Sequence, residues 1–292
     1  MYELIKIGER TWYMAAPCNI GFWLNGSGEV CMIDAGGDKA AAERALEHIS
    51  REGLRLTAVY LTHSHADHTG GAAYLHKMTG CSVYAPGVSA AAVTHSFLTA
   101  VTLYGGHTCG EMCSRLLVPP PCPCSELCAE NMPQGLSFER LDGHDMAHCA
   151  YLTSDGIWFT GDALIGEQAL EKRRISFLHD VGEHLVTLDR MSGLDGRLFV
   201  PSHDEPHSEI SQLIEVNRCA VLEVAQDIKK MCALPVTIDE VIERALEKYH
   251  IRLYLMQYLL VGQTVRSHIS RLLETGEIRA VYSGTRLMFQ SC

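Results

Sequence analysis

Apolar residues are arranged in two different ways along this chain. Through the first two hundred residues they form short runs rich in β-branched and aromatic side chains. These are Asn19-Ile20-Gly21-Phe22-Trp23-Leu24, Met32-Ile33, Val59-Tyr60-Leu61, Cys149-Ala150-Tyr151-Leu152, Ile157-Trp158-Phe159-Thr160 and Leu198-Phe199-Val200. Such runs predict buried strands. Helical stretches are predicted after Gly70-Gly71, from Ala72, and near Val88–Thr102. From Ser208 to Met231 the spacing becomes helical, with Ile210, Leu213, Ile214, Val221, Val224 and Ile228 in register. Leu234-Pro235 breaks that pattern, and Thr237 with Glu240 forms a capping box that opens another helix. The remaining spacing predicts helices over Ile238–Tyr249, Leu253–Leu260 and Thr264–Thr275, then a hairpin over Ile278–Phe289 turning at Ser283-Gly284. Three helices and a hairpin resemble a winged helix, with Thr264–Thr275 in the place of a recognition helix.

The polar residues between these runs carry the chemistry. Thr62-His63-Ser64-His65-Ala66-Asp67-His68 follows directly on Val59-Tyr60-Leu61. Residues two apart at a strand end point the same way, so His63 and His65 are placed to hold one ion. Asp67 and His68 lie past the bend and can face a second. A solvated polar loop would be the plain alternative, but three more candidates sit in matching contexts. His144 precedes the run from Cys149, Asp162 follows Thr160-Gly161, and His203 follows Val200-Pro201-Ser202. Strand ends of this kind gather on one edge of a sheet sandwich.

In their order and spacing these residues resemble the metallo-β-lactamase-fold hydrolases. That family carries His-x-His-x-Asp-His, then Gly-His, Gly-Asp and a last His. The turn Asp34-Ala35-Gly36 resembles its Asp-x-Gly turn. The resemblance covers roughly the first 205 residues. It implies an α+β fold, an αββα sandwich, here joined to the small C-terminal winged-helix-like domain. The expected division is 1–205 catalytic, 206–235 helical linker and 236–292 winged-helix-like. The family pattern implies that His63, His65 and His144 hold one metal, that Asp67, His68 and His203 hold the other, and that Asp162 bridges. The segment Gly143-His144-Asp145-Met146-Ala147-His148 departs from the family's usual Thr-Pro-Gly-His continuation. His144 is taken as the ligand. His148 is expected to support the ligands from behind or to touch substrate, the swapped assignment being the alternative.

Imidazole and carboxylate donors suit zinc, with iron or manganese as alternatives. Two such ions can share a bridging hydroxide and clamp the attacking and leaving oxygens of a hydrolysis. Asp67 is expected to orient the attacking water, so Asp67 and His148 are the candidate catalytic side chains. The first motif lacks the Glu of flavin-linked diiron relatives, which argues against oxygen reduction. The full second ligand set argues against a mononuclear-iron oxygenase.

Composition narrows the field further. With 292 residues, 47% of them hydrophobic, the chain can bury a large domain and a small one. A net charge of −11 does not suit a general nucleic-acid binder. No apolar run reaches the length of a membrane span, and Met1-Tyr2-Glu3-Leu4-Ile5 reads straight into strand-like sequence, so a cytoplasmic enzyme with no membrane partner is expected. The twelve cysteines then read as thiols. Cys109, Cys113, Cys122, Cys124 and Cys128 fall in one Pro- and Gly-rich insert, expected to be a covering loop. An extra metal site or redox switch is the sharper reading.

Two function classes follow. One is a dinuclear metallohydrolase acting on a small ester-type substrate: a thioester, lactone or phosphodiester. The other is a single-strand endoribonuclease of the same fold that holds RNA with its C-terminal module. Residues 236–292 carry seven Lys/Arg and six Asp/Glu, a net of +1, which favours the first class. The module then serves packing or assembly, with a homodimer as the candidate oligomer.

Overall fold

A computed structural model describes residues 2–26, 28–114, 117–173 and 175–292. Seven strands form the first sheet, in the order of the chain: β1 (Glu3–Lys6), β2 (Thr11–Ala15), β3 (Ile20–Leu24), β4 (Glu29–Ile33), β5 (Arg55–Tyr60), β6 (Ser82–Ala85) and β7 (Ser125–Glu126). The first four pair antiparallel, and β4 through β7 pair parallel. Parallel strands need crossovers, supplied by α1 (Lys39–Arg51), by the pair α2 (Ala66–Thr69) and α3 (Ala72–Thr79), and by α4 (Val88–Thr94) with α5 (Phe97–Tyr104). The single stretch expected near 88–102 is thus two helices, broken at His95-Ser96.

The second sheet has four strands in the order β11-β10-β9-β8: β8 (Leu136–Arg140), β9 (Cys149–Thr153), β10 (Ile157–Gly161) and β11 (Leu198–Pro201). Tyr13, Trp23, Ile33 and Tyr60 of the first sheet meet Tyr151, Ile157, Phe159 and Val200 of the second in one buried cluster. The outer face of the first sheet packs on α1 and α3 through Met32, Ala45, Val59 and Leu75. The outer face of the second packs on α7 (Val181–Met191) and the first half of α8 (Ser211–Met231) through Trp158, Leu188, Phe199 and Leu213. This is the expected αββα layering.

A short helix, α6 (Glu167–Arg173), precedes α7. The C-terminal region has two more helices, α9 (Ile238–Lys248) and α10 (Leu255–Glu274), and the hairpin β12 (Ile278–Ser283) with β13 (Arg286–Ser291). The capping box is present: Thr237 accepts from the Glu240 N–H, and the Glu240 carboxylate accepts from Thr237. The two helices expected over 253–275 are instead one. Gly262 and Thr264 look like a break and a cap, but tertiary contacts override them. Thr264 sits mid-helix, donating its hydroxyl to the Leu260 carbonyl and accepting from the Leu178 N–H. A side chain at Gly262 would press on Arg266 and Ile242. The inner face of α10, with Val265, His268, Ile269 and Leu272, is buried. A third cluster joins Val224 and Ile228 of α8 to Val241, Ile242, Val265 and Ile269. One helix, α8, therefore contributes to the cores on both sides of it.

Gly70 illustrates how tightly the loop after β5 is seated. A Cβ at Gly70 would fall on the Gly37 carbonyl, which is backbone and cannot swing away. Gly70→Ala is therefore expected to destabilise by about 1–3 kcal/mol through overpacking. Gly110→Ala, with open space around it, is expected to change little. Thermal unfolding of the two variants beside the parent tests this, and equal melting temperatures would refute it.

Candidate metal centre

All seven residues singled out by spacing meet at one edge of the sandwich. His63 and His65 follow the end of β5, and Asp67 and His68 lie on α2. His144 lies in the β8–β9 connection, Asp162 just beyond β10, and His203 just beyond β11. His65 Nδ1 lies 2.9 Å from His63 Nε2 and 3.0 Å from His144 Nε2. Asp162 sits between two groups of side chains. Its Oδ1 is 3.4 Å from His68 Nε2, and its Oδ2 is 3.4 Å from His144 Nε2 and 3.5 Å from His203 Nε2. Asp67 Oδ2 is 3.1 Å from His203 Nε2.

The partners of the other ring nitrogens fix which nitrogen faces inward. Thr62 gives its hydroxyl proton to Asp34, so its oxygen accepts from His63 Nδ1–H at 3.0 Å. Asp34 also accepts from His68 Nδ1–H at 2.8 Å. His203 Nδ1–H donates to the Pro17 carbonyl at 2.7 Å. In each case Nε2 is the nitrogen turned into the cluster, and it offers a lone pair whenever the ring is neutral. Among the described residues, His68 Nε2, His203 Nε2 and Asp162 Oδ1 are buried with no hydrogen-bond partner. Buried polar atoms are otherwise almost always paired. Bare nitrogens and carboxylate oxygens converging at about 3 Å suit a cation better than one another. The donor set therefore fits divalent metal ions.

The electrostatics divide the cluster. Burial, with the neighbouring imidazoles of His68, His65 and His144, holds His63 well below its ordinary value. Burial likewise lowers His144, although Asp162 opposes it. Burial also acts to lower His203, but Asp162 and Asp67 more than offset it and hold that ring up at about 10. His68 is raised well above its ordinary value, burial being outweighed by Cys18, Asp34, Asp162 and Asp67. For Asp162 the imidazoles of His203 and His68 outweigh burial and keep it ionised.

His148 lies behind the cluster. It is fully buried, and its Nε2 accepts the Asp162 backbone N–H at 3.1 Å. Burial pushes it down to about 4, so it stays the neutral acceptor that this bond requires. Gly161, at φ +57°, lets the chain pass against this ring, where any side chain would collide with Nε2. The Cys109–Cys128 insert adds β7 to the first sheet, buries Cys122 and lays Leu117 against the cleft beside His65 and Asp67. Arg115 and Leu116 of this insert lie outside the described residues. Among the described residues, the groups that could hold an ion include none of its cysteines.

Four contributors were not singled out by spacing. Asp34, read only as part of a turn, is the carboxylate that holds Thr62 and His68. Cys18 Sγ approaches His68 Nδ1 at 3.5 Å. Phe177 sets its ring edge-on to His65, 5.1 Å between centroids. Asp145, at the position where the sequence leaves the family pattern, is buried and accepts from the Ser64 N–H and hydroxyl, the Ser89 hydroxyl and the Met146 N–H. It locks the loop between His63 and His65. The signal for it was a carboxylate directly after a candidate ligand.

A family model described as the metallo-beta-lactamase superfamily matches residues 16–203, and the chain belongs to that superfamily. The hydroxyacylglutathione hydrolase of Methylobacillus flagellatus is 31% identical over 166 residues, 57% of this chain and 53% of that protein. The enzyme of the same name from Albidiferax ferrireducens is 30% identical over 135 residues, 44% of this chain and 42% of that one. The chain thus spans about half the length, or less, of the curated relatives it matches. In structure it is similar to a beta-lactamase domain protein from Burkholderia ambifaria, with a TM-score of 0.74 and 17% identity over 99% of this chain and 94% of that one. A metallo-beta-lactamase family protein from Thermus thermophilus gives 0.69 and 20%, over 99% and 97%. At these identities the likeness is one of fold.

Asp145 gives a stability prediction. Burial raises its carboxyl, but His65 and the bonds from Ser64 and Met146 outweigh that and hold it at about 2, below the ordinary carboxylate value. A depressed carboxyl contributes stability that is present above its unfolded value and is lost as pH falls toward the folded one. Asp145→Ala should destabilise by about 2–4 kcal/mol at neutral pH by stranding buried donors. The gap to the parent should narrow as pH drops from about 4 toward 2. Denaturation at both pH values tests this; a gap that stays constant would rule out the charged carboxylate as the cause.

Proposed function

We propose that this protein is a dinuclear metal-dependent hydrolase of small ester-type substrates, thioesters first among them. The observation that carries this reading is Asp162, seated within 3.5 Å of His68, His144 and His203. A carboxylate between two sets of bare imidazole nitrogens is suited to serve two ions at once. His63, His65 and His144 would hold one ion. Asp67, His68 and His203 would hold the other, with Asp162 shared. Zinc fits these donors, and iron or manganese remain alternatives by donor type. Such ions supply Lewis acidity toward a carbonyl and a nucleophile available at neutral pH.

The chain's own residues do the positioning. Asp67, the exposed carboxylate at the mouth, accepts a hydrogen bond from the attacking water and aims it. Thr62, Asp34 and Pro17 fix the histidine tautomers from behind. His148 does not meet substrate. It fixes the backbone that carries Asp162. The name of the relatives, hydroxyacylglutathione hydrolase, supports the thioester within the ester-type class. Residues 1–205 form the catalytic unit in this reading, with 206–235 as helical linker and 236–292 as a winged-helix-like wall and assembly element. That element is the candidate surface for a homodimer. The same reading keeps the enzyme cytoplasmic. Among the described residues, no helix is long and apolar enough to cross a membrane.

Elemental analysis of the purified protein should give two metal equivalents per chain at saturation. Asp162→Ala should reduce both and abolish thioester hydrolysis. Full two-metal content and activity in that variant would overturn the shared role. A panel of a thioester, a lactone, a phosphodiester and single-stranded RNA tests the reaction class, and turnover of RNA alone would replace this reading with the ribonuclease.

The two ligand groups should also load differently with pH. His63 and His144 are already neutral at pH 7, but His203, at about 10, and His68 must each lose a proton to bind a cation. Affinity at the second group should therefore rise with pH, by roughly tenfold per unit for each displaced proton, up to about pH 10. Affinity at the first should be flat over the same range. Calorimetry in buffers of different ionisation heat reads the released protons directly. Equal proton release on both loading steps would contradict it.

A further inference from the structure

The cleft at the histidine cluster is small, about 190 Å³, and apolar around its polar floor. Leu103 of α5, Leu117 of the insert, Met256 and Leu260 of α10, and Phe177 surround His65, Asp67, His144 and Asp162. A second space, about 420 Å³, opens on the far side of Phe177 and Leu260, which line both. Phe177 is thus a partition. One side of it borders the rings of His65 and His144, at 5.1 and 6.0 Å, and it also walls the outer groove.

The outer groove differs from the rest of the molecule in charge. The protein carries a net −11, yet among the described residues the groove lining contains Lys172 and Arg252 and no Asp or Glu. Both cations are exposed, and among the described residues neither makes an ion pair or a side-chain hydrogen bond. Elsewhere most exposed basic side chains of the described residues are matched, as Lys39 is with Glu43 and Arg44 with Glu47. The hydroxyls of Tyr249 and Tyr254 are committed to Asp227 and Gln257, while their rings help to line the groove. His250, which also lines it, holds φ +53° at the end of α9. Its N–H donates to Glu247, and the next N–H donates back to Leu246. Glycine is the usual residue at such a cap, so a side chain is carried here at some cost in strain. A concave site lined by one sign of charge and low-dielectric walls attracts the opposite ion.

We propose that the outer groove is a subsite for an anionic leaving-group arm. The substrate is a small ester or thioester whose apolar part faces the histidine cluster. Its far end bears a carboxylate or phosphate held by Lys172 and Arg252. This rests on the hydrolase reading and deepens it. In the reaction, water adds its oxygen to the acyl carbon and the C–S or C–O bond breaks. The proton goes to the departing thiol or alcohol, which leaves through the groove. The apolar cleft selects the acyl part and the two cations select the arm, so only a substrate carrying both features fills both spaces.

The test uses three hexanoyl thioesters on the metal-loaded enzyme. One has the neutral thiol N-acetylcysteamine, one the carboxylate-bearing 3-mercaptopropionate, and one pantetheine 4′-phosphate. A charged thiol should raise kcat/KM over the neutral one by about tenfold, the effect of a charge-assisted contact, mostly through KM. In Lys172→Gln/Arg252→Gln, with its melting temperature checked against the parent, that ratio should fall to about one. Which charged thiol shows the effect tells carboxylate from phosphate. A ratio near one in the parent, or an unchanged ratio in the double variant, overturns the subsite. If none of the thioesters turns over, the hydrolase reading fails on its own. The groove is then judged by calorimetric binding of the S-methyl ethers of the same thiols. Binding of a charged ether that the double variant loses upholds the subsite, and no binding refutes it. Tight binding of single-stranded RNA at physiological salt that the double variant loses would assign the groove to a phosphate backbone and overturn the small-molecule proposal.

Discussion

The structure turns on bare imidazole nitrogens and carboxylate oxygens held about 3 Å apart in a buried seam. Left alone, such atoms would repel or take up water. They stay because each is fixed from behind. Asp34 grips Thr62 and His68, Asp145 grips Ser64, the Pro17 carbonyl grips His203, and His148 grips the backbone of Asp162. These anchors come from the connections at the strand ends of both sheets. The sandwich therefore has to form before the cluster can, and its layering serves to bring distant strand ends to one edge.

The same constraint gives the C-terminal helices a mechanical part. The segment before α7 is tied on one side to the His144 turn, where the Asp180 N–H donates to Gly143 and the His179 N–H to the His144 carbonyl. On the other side it is tied to α10, where Thr264 and Ser267 accept from Leu178 and Val181. Helix α10 is thus two hydrogen-bonded steps from a ligand, and its Met256 and Leu260 wall the cleft. A helix used in this way has its Leu260, Thr264 and Ser267 side turned to the cleft and to the segment that leads into α7. The C-terminal region thus supplies part of the wall of the site.

The ligand cluster was legible in the sequence because its spacing is dictated by local geometry: alternate residues at a strand end, then one turn of helix. The sandwich was legible because its strands are short, apolar and β-branched. What escaped depends on contacts far apart in the chain. Asp145 looked like a departure from a pattern, and only folding brings Ser64 and Ser89 to it. Phe177 lies in an irregular link with no periodicity to mark it. The division of α10 into two helices failed because Thr264 carries the chemistry of a cap, while the N–H it accepts lies 86 residues away. Strand β7, two residues inside the cysteine-rich insert, is too short to leave a pattern.

The placement of charge then bears on what the cluster acts upon. An acidic protein repels anions at long range, so an anionic substrate needs a local reversal of sign close to the reacting centre. Screening limits such a reversal to about 8 Å in physiological salt. A cation pair is therefore useful only if it shares walls with the cleft. The groove with Lys172 and Arg252 meets this condition, since Phe177 and Leu260 belong to both spaces. An extended polyanion would instead need cations spread along a surface. The C-terminal module offers seven basic residues against six acidic ones, and its Arg266 lies 4.0 Å from Asp239. A short, local patch of positive charge beside an apolar cleft matches one small amphiphilic molecule better than a strand of phosphates.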